Sequence, residues 1–543
     1  MIARTDVEGA EDARSSRARL RVRVAAFAVV AAVVQVLPVW LTTRFPDQDG
    51  PAHLASAVAI SGAYHGAAAR VLHTYVQLRL DLGHSPLGHM LLAVAVRAAG
   101  SLTGQRLFLT VYLAVFALAG WYALSALRRD NGVLMTLLLP VGSGYFFLLG
   151  FWDFLLSLAG TLFVVGYWLR HHDDPGGRKY VAVSALLAVT SSLHPSGLIV
   201  GLPVVVLISV VDATINRRRA AMGLAAIALS CVPALVPVVL VSTNAGGSTP
   251  RPPLAHSLRG LIGLASVVRV LHSRAEAAIT VLFIATLAGL AARAFAARIR
   301  NHQVAVGDVL FLVAILCALA SFVAPSSVGG AELLNERFAV FAVVTLILWL
   351  GTQPSTARLR YTAAILGAVL ASALIALRVP TYRTLDRDLS EITSLESSMT
   401  PGRTHIVVFG KDTTAVDRLT SALRTDPFRS VTGYFAAERE LVGLDNYEGK
   451  YDYFPYQYVA ARDPVRQLFL ISDPRVFTRH PQLDLAGYTQ RTGGRVDYIV
   501  VLGPPDATLT RQLVRDYKEV AVSRPLGLAS LFALDPQQTP SKP

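Results

Sequence analysis

Apolar and polar positions come in blocks along most of this chain. Runs rich in Ala, Val, Leu and Phe recur from residue 22 to residue 378, broken by short polar stretches. An apolar run of about 20 residues has the length of a bilayer-crossing helix. Read this way, the pattern predicts about eleven spans, at 22–42, 106–127, 133–149, 153–169, 180–194, 196–211, 220–241, 276–295, 306–323, 336–351 and 361–378. After Leu377 the blocks end. Within 379–543, THIVVFG (404–410) and DYIVVLG (497–503) read as buried strands, each closed by a glycine. LTRQLVRDY reads as a helix and SLFALD as a late strand. The expected fold class is a polytopic α-helical membrane protein with a C-terminal α/β domain.

Composition agrees. Of 543 residues, 53% are hydrophobic and only 16% are charged. The net charge of +14 raises the question of nucleic acid, and the placement of the charge answers it. Basic residues cluster in short stretches between apolar runs: Arg128-Arg129, Arg170 with Arg178-Lys179, Arg217 to Arg219, Arg293 to Arg300, and Arg358 to Arg360. That is an orientation signal, and no nucleic-acid partner is expected. Placing every cluster inside predicts a cytoplasmic tail (1–21), a transmembrane module (22–378) with a first outer loop (43–105), and an extracytoplasmic α/β domain (379–543). Arg14, Arg17, Arg19, Arg21 and Arg23 precede or open the first run, which has no small-residue cleavage site and reads as an uncleaved anchor. The expected location is the cell membrane, multi-pass. Cys231 and Cys317 lie in apolar runs and read as small buried hydrophobes.

The candidate chemistry begins at FPDQDGPAHLASA, from Phe45. Asp49-Gly50-Pro51 fits the start of a helix, with the aspartate as its cap. Against that, His53 lies one helical turn after Asp49, so both side chains can face one spot. The stretches Ala52 to Ala69 and Pro86 to Ala99 read as helices lying on the membrane surface, the second opened by HSPLGHM from His84. Asp153 sits in an apolar hairpin, and His194 precedes Pro195 at a turn. Arg337, in NERF, marks where a late outer loop (324–335) re-enters the bilayer, and arginine suits bidentate phosphate contact. Arg44 is its rival. Tyr434 to Tyr458 is dense in aromatic residues, fit either to stack on sugars or to pack at the membrane interface.

An Asp-containing first loop followed by an HPPLG-like helix resembles the GT-C superfamily of membrane glycosyltransferases, which includes protein O-mannosyltransferases and aminoarabinose transferases. GFWDFLLSLAGTL (150–162) and LHPSGL (193–198) are similar to turns of bacterial members. The acid–histidine spacing departs from the O-mannosyltransferase pattern, and Ser85 replaces one proline. The resemblance implies a sugar donor on a polyprenyl phosphate and an acceptor hydroxyl on a glycan, lipid or protein. It implies an aspartate as general base and inversion at the anomeric carbon. Asp49 is then the base, pinned by the Gly50-Pro51 turn and His53, with Asp47 orienting the acceptor or sharing a divalent ion. The resemblance leaves the cofactor open, since some members of the superfamily work without a metal; a divalent metal ion, if one is used, would take Asp47 and Asp49. Arg337 or Arg44 would meet the phosphate, and His84, Asp153 and His194 would line the substrate site. The alternatives are a transporter or flippase, and a non-catalytic assembly protein, for lipid-linked glycans. A transporter calls for inverted repeats and mid-membrane acids, whereas the charges here lie at the outer edge.

Overall fold

The computed structural model describes residues 22–84, 86–174, 176–215, 220–243, 253–301, 305–328, 331–410, 414–470 and 482–535. The N-terminal tail, Ser85, Arg217 to Arg219 and most of the glycine–proline stretch after Thr243 lie outside them.

Helix α1 (Val22–Leu41) comes first. The loop after it folds into α2 (Gly50–Ile60), α3 (Gly66–Tyr75), strand β1 (Val76–Leu78) and α4 (Leu87–Ala99). Then follow α5 (Ser101–Leu124), an unlabelled pair (Arg129–Leu137 and Leu139–Leu149) bent by 46°, and α6 (Trp152–His171). Next come α7 (Arg178–Leu193), α8 (Leu198–Ile215), α9 (Ala220–Thr243), α10 (Leu254–Ile262), α11 (Arg274–Asn301) and α12 (Asp308–Val323). A hairpin, β2 (Ser327–Val328) and β3 (Ala331–Glu332), leads to α13 (Leu334–Thr352) and α14 (Ala357–Thr393).

This is a multi-pass membrane protein. Six helices among the described residues are long and apolar enough to cross a bilayer, seven if the bent pair is one span. Val29, Val30 and Val33 on α1, and Val281, Leu282 and Ile299 on α11, are exposed apolar side chains that only lipid would cover. The predicted count of about eleven is not given by length and apolarity alone. The run at 133–149 is bent, and α7 and α12 have 16 residues each, about 24 Å against a core of about 30 Å.

The first loop corrects one expectation. Helix α2 does not lie on a surface: its first ten residues are all buried. Its sequence, GPAHLASAVAI, is mostly small residues, which let neighbours approach closely.

Helix α14 is 37 residues long and runs unbroken past position 378. It leads into a domain of β4 (Thr404–Phe409), α15 (Thr414–Thr420), α16 (Thr432–Arg439), β5 (Val442–Gly443), β6 (Tyr456–Tyr458), α17 (Leu485–Thr492), β7 (Tyr498–Leu502), α18 (Ala507–Asp516), β8 (Tyr517–Val522) and β9 (Ala529–Leu534). The main sheet has the order β5-β4-β7-β9-β8. Strand β4 runs parallel to β5 and β7, while β9 is antiparallel to β7 and β8. Strands β4 and β7 are buried at every position, as befits apolar runs at the centre of a mixed sheet covered on both faces.

Two features join this domain to the rest. Strand β6 pairs antiparallel with β1 of the first loop, Val76 opposite Tyr458 and Leu78 opposite Tyr456. Helix α16 packs on α2 so closely that a Cβ at Gly433 would overlap the Pro51 carbonyl. Deeper down, Arg378 of α14 is fully enclosed with Glu276 of α11. Its Nε donates to Glu276 Oε1 (2.8 Å), Nη1 to Ser143 O (2.8 Å) and Nη2 to Val268 O (2.7 Å). Glu276 Oε2 accepts from the backbone of Val270 (3.1 Å) and Leu271 (2.5 Å).

Candidate active site

The segment before α2 is held by its backbone. Gln48 N and Asp49 N donate to Leu148 O (3.0 Å) and Leu149 O (3.1 Å). That approach needs glycine at 150, which has φ +81° and whose Cβ would overlap the Asp49–Gly50 backbone. Gln48 Oε1 accepts from Asp426 N (3.0 Å), tying the segment to the C-terminal domain.

Asp49 occupies the position before α2, but its side chain accepts no hydrogen bond from the helix. The helix start is satisfied instead by its carbonyl, which accepts from Ala52 N (3.0 Å) and His53 N (3.2 Å). The carboxylate meets Gln48 Nε2 at 3.3 Å. The capping alternative is therefore not what this side chain does. Burial raises the Asp49 pKa, against the pull of Arg429 and His53. Asp47 is more extreme. Both its oxygens are buried without a hydrogen-bond partner, the Trp152 indole contributing only a contact outside bonding geometry. Burial first, then the Asp49 charge, holds Asp47 well above the usual carboxylate range.

Beside them lies a cluster drawn from three elements. His53 of α2, His89 of α4 and Glu448 of the turn Tyr447–Lys450 converge, all three buried. His53 Nδ1 is 3.2 Å from His89 Nε2, which is 3.1 Å from Glu448 Oε1. His53 Nδ1 also meets Glu448 Oε1, and Ser56 Oγ donates to Glu448 Oε2. Behind His89, its Nδ1 lies 3.4 Å from Asp153 Oδ2, long for a hydrogen bond. Gly88 makes room, because a Cβ there would overlap the Asp153 carboxylate. Burial opposes charge on His89, but Glu448 and Asp153 outweigh it and raise its pKa to about 10. Burial likewise pushes Glu448 up, and the two imidazoles, His89 first, hold it well below the carboxylate range. The aromatic stretch walls the cluster: Trp152, Phe454 and Tyr447 lie 5.4, 6.1 and 6.5 Å from the His53 ring. Among the described residues this trio is the group whose donor atoms could hold a metal ion; the predicted pair Asp47 and Asp49 is not part of it.

A second buried group holds Arg337. Its Nε donates to Glu332 O (3.0 Å) and its Nη1 to His194 Nε2 (2.8 Å). The guanidinium lies over Phe151 and Phe154, at 5.2 and 5.1 Å. His194 Nε2 faces the Arg337 Nη1 donor, while its Nδ1 accepts from Ser196 N (3.1 Å) and lies 2.7 Å from Ser196 Oγ.

Two crystal structures share this architecture. Both are of ArnT from Cupriavidus metallidurans, one bound to undecaprenyl phosphate and one in the apo state. Each covers 96% of this chain and 99% of its own length at 12% identity, with TM-scores of 0.57 and 0.56. The chain shares the fold of these two ArnT structures. No family model matches the sequence, and neither does any curated protein.

Within this fold the predicted site residues part company. His53 is a member of the cluster, Asp153 stands behind its His89, and Asp47 and Asp49 adjoin it. His194 and Arg337 meet each other. Arg44 turns elsewhere: its N–H binds Asp386 (2.7 Å), its Nη1 binds Ser390 (3.4 Å), and Nη2 is 3.8 Å from Glu396. His84 pairs with Asp81 at 2.6 Å; His89, five residues on, is the histidine of that stretch that reaches the cluster. Besides His89, three residues escaped sequence reasoning. Glu448 is one of several acids in the tyrosine-rich stretch, 395 positions from His53, and no local spacing connects the two. Arg429, over the Tyr447 ring at 6.0 Å, and Arg424, over Tyr145 at 4.9 Å, sit in a domain segment without a motif.

Proposed function

We propose that this chain is an inverting glycosyltransferase that moves a sugar from a polyprenyl-phosphate donor to an acceptor hydroxyl on the extracytoplasmic face. The observation that carries the reading is Asp49. It is a buried carboxylate at the head of a buried helix, excused from capping, where the first loop meets the C-terminal domain. A raised pKa brings a carboxylate closer to the range where it takes a proton at working pH. Asp49 takes the proton of the acceptor hydroxyl as that oxygen attacks the anomeric carbon. The bond to the lipid phosphate breaks on the opposite side, and the phosphate leaves with the electron pair. Arg337 meets the developing negative charge. Its hydrogen bonds go to a carbonyl and an uncharged imidazole, so its charge is available to an anion. Asp47 and His53 orient the base. The undecaprenyl phosphate bound to ArnT supports the donor class.

The orientation is part of the proposal. The basic stretches face the cytoplasm and α14 carries the domain from about residue 379 on the other side. The test uses membranes containing the full chain, labelled polyprenyl-phosphate sugars and a panel of acceptors. Transfer should require the lipid-linked donor. Arg337→Ala should weaken donor binding about 10–100-fold, the range for a lost charged hydrogen bond, and Arg337→Lys should restore part of it. Transfer from a nucleotide sugar instead, or donor affinity indifferent to Arg337, would overturn the reading.

A further inference from the structure

The trio of His53, His89 and Glu448 is a poor hydrogen-bond network and a good ligand set. Three atoms, His53 Nδ1, His89 Nε2 and Glu448 Oε1, each lie against the other two. A hydrogen bond is nearly linear and uses one proton between two atoms, so a triangle of three cannot be satisfied along all its sides. One cation at the centre satisfies all three at once. The geometry is close to what a cation needs. Zinc bonds of about 2.0–2.2 Å in a tetrahedral site place neighbouring donors roughly 3.2–3.5 Å apart. Two sides of the triangle are 3.2 and 3.1 Å; the third, between His53 Nδ1 and Glu448 Oε1, is shorter than a hydrogen bond and has to open for an ion to enter.

The surroundings match as well. Metal-bound histidines commonly give their other N–H to a carboxylate, and bound carboxylates are themselves hydrogen-bonded. Here Asp153 stands behind His89 Nδ1 at 3.4 Å, and Ser56 Oγ donates to the outer oxygen of Glu448. Trp152, Phe454 and Tyr447 restrict water.

We propose that His53, His89 and Glu448 bind one zinc ion that fastens the C-terminal domain to α2 and α4 of the first loop. Two imidazoles and one carboxylate suit zinc, whereas magnesium and calcium take oxygen ligands. Three protein donors leave one tetrahedral position for water or a substrate oxygen. The ligands come from three elements separated by 36, 359 and 395 positions, so the ion would cross-link parts that meet only in the folded chain. This inference does not depend on the glycosyltransferase reading.

The test takes the full chain, purified in detergent without chelators. Elemental analysis should find close to one zinc per chain, and zinc-edge X-ray absorption should show an imidazole-containing nitrogen and oxygen shell. Phenanthroline should lower the unfolding temperature; zinc should restore it, and magnesium should not. Glu448→Gln should lose stoichiometric zinc. Asp153→Asn, which touches no metal, should still fold and bind zinc about 10–100-fold more weakly. A folded wild-type chain that takes up no zinc on titration and is indifferent to chelator overturns the proposal: the trio would then be a proton-held ion cluster. Full zinc retention in both variants would also overturn it.

Discussion

Two groups of buried charge sit in this protein, and they are built on opposite plans. Around Arg378 every nitrogen of the guanidinium has an acceptor, and both oxygens of Glu276 have donors. Around Asp49 the accounts stay open. Asp47 has no hydrogen-bond partner, Asp49 has a single amide neighbour, and three donor atoms crowd one point at Glu448. A buried polar group left unmade carries a penalty of about 1–3 kcal/mol. The chain therefore knows how to satisfy buried charge and does so where the role is to hold helices together. Around Asp49 that capacity is left unfilled, which is what the proposed catalytic and metal-binding roles require.

The contrast can be broken at either end. The largest effect belongs to the closed group. Arg378→Met strips three polar partners at once and strands Glu276, which should destabilise the fold by about 3–5 kcal/mol. Thermal unfolding in detergent measures this, and a variant as stable as wild type would remove the closed group from the comparison.

Next comes the open group. Asp49→Asn should leave stability unchanged or improved, since it removes a charge that burial penalises and no cap is lost. Sugar transfer should nevertheless fall at least about 100-fold, the lower end for a lost general base and worth about 2.7 kcal/mol of barrier. Normal transfer with lowered stability would reverse the roles assigned to the two groups.

The smallest effect is a shift along the pH axis. Asp49 acts when deprotonated, and its folded pKa is raised, so transfer should decline as pH falls through that raised value rather than through the ordinary carboxylate range. Arg429 is the leading charge holding Asp49 down. Arg429→Gln should therefore move the acid limb to higher pH. An unmoved limb would mean that Arg429 does not act on Asp49.

Much of the architecture was legible in the sequence because it is written locally. The IVVF of β4 and the IVVL of β7 are apolar runs at buried positions, and the apolar runs of α1, α5 and the first part of α14 mark their helices. The burial of α2 was not legible. AHLASAVA is small and apolar all round, and such a helix looks alike whether it lies on a membrane or between α4 and α16. Asp49 read equally as cap or base, since only its side-chain direction decides, and that direction is set by contacts with Leu149, Gln48 and the distant domain. Glu448 could not be found, because its partners lie hundreds of positions away.

That separation also sets a timetable for biosynthesis. The ribosome makes His53 some 395 residues before Glu448. At about 5–20 residues per second the gap is roughly 20–80 s. Throughout it the imidazoles of α2 and α4 wait on a nascent chain whose closing acid has not been made. Strand β9, which completes the sheet between β7 and β8, is later still. The cluster therefore closes late in synthesis, and a polypeptide released before residue 448 carries the two imidazoles of α2 and α4 without the acid that completes them.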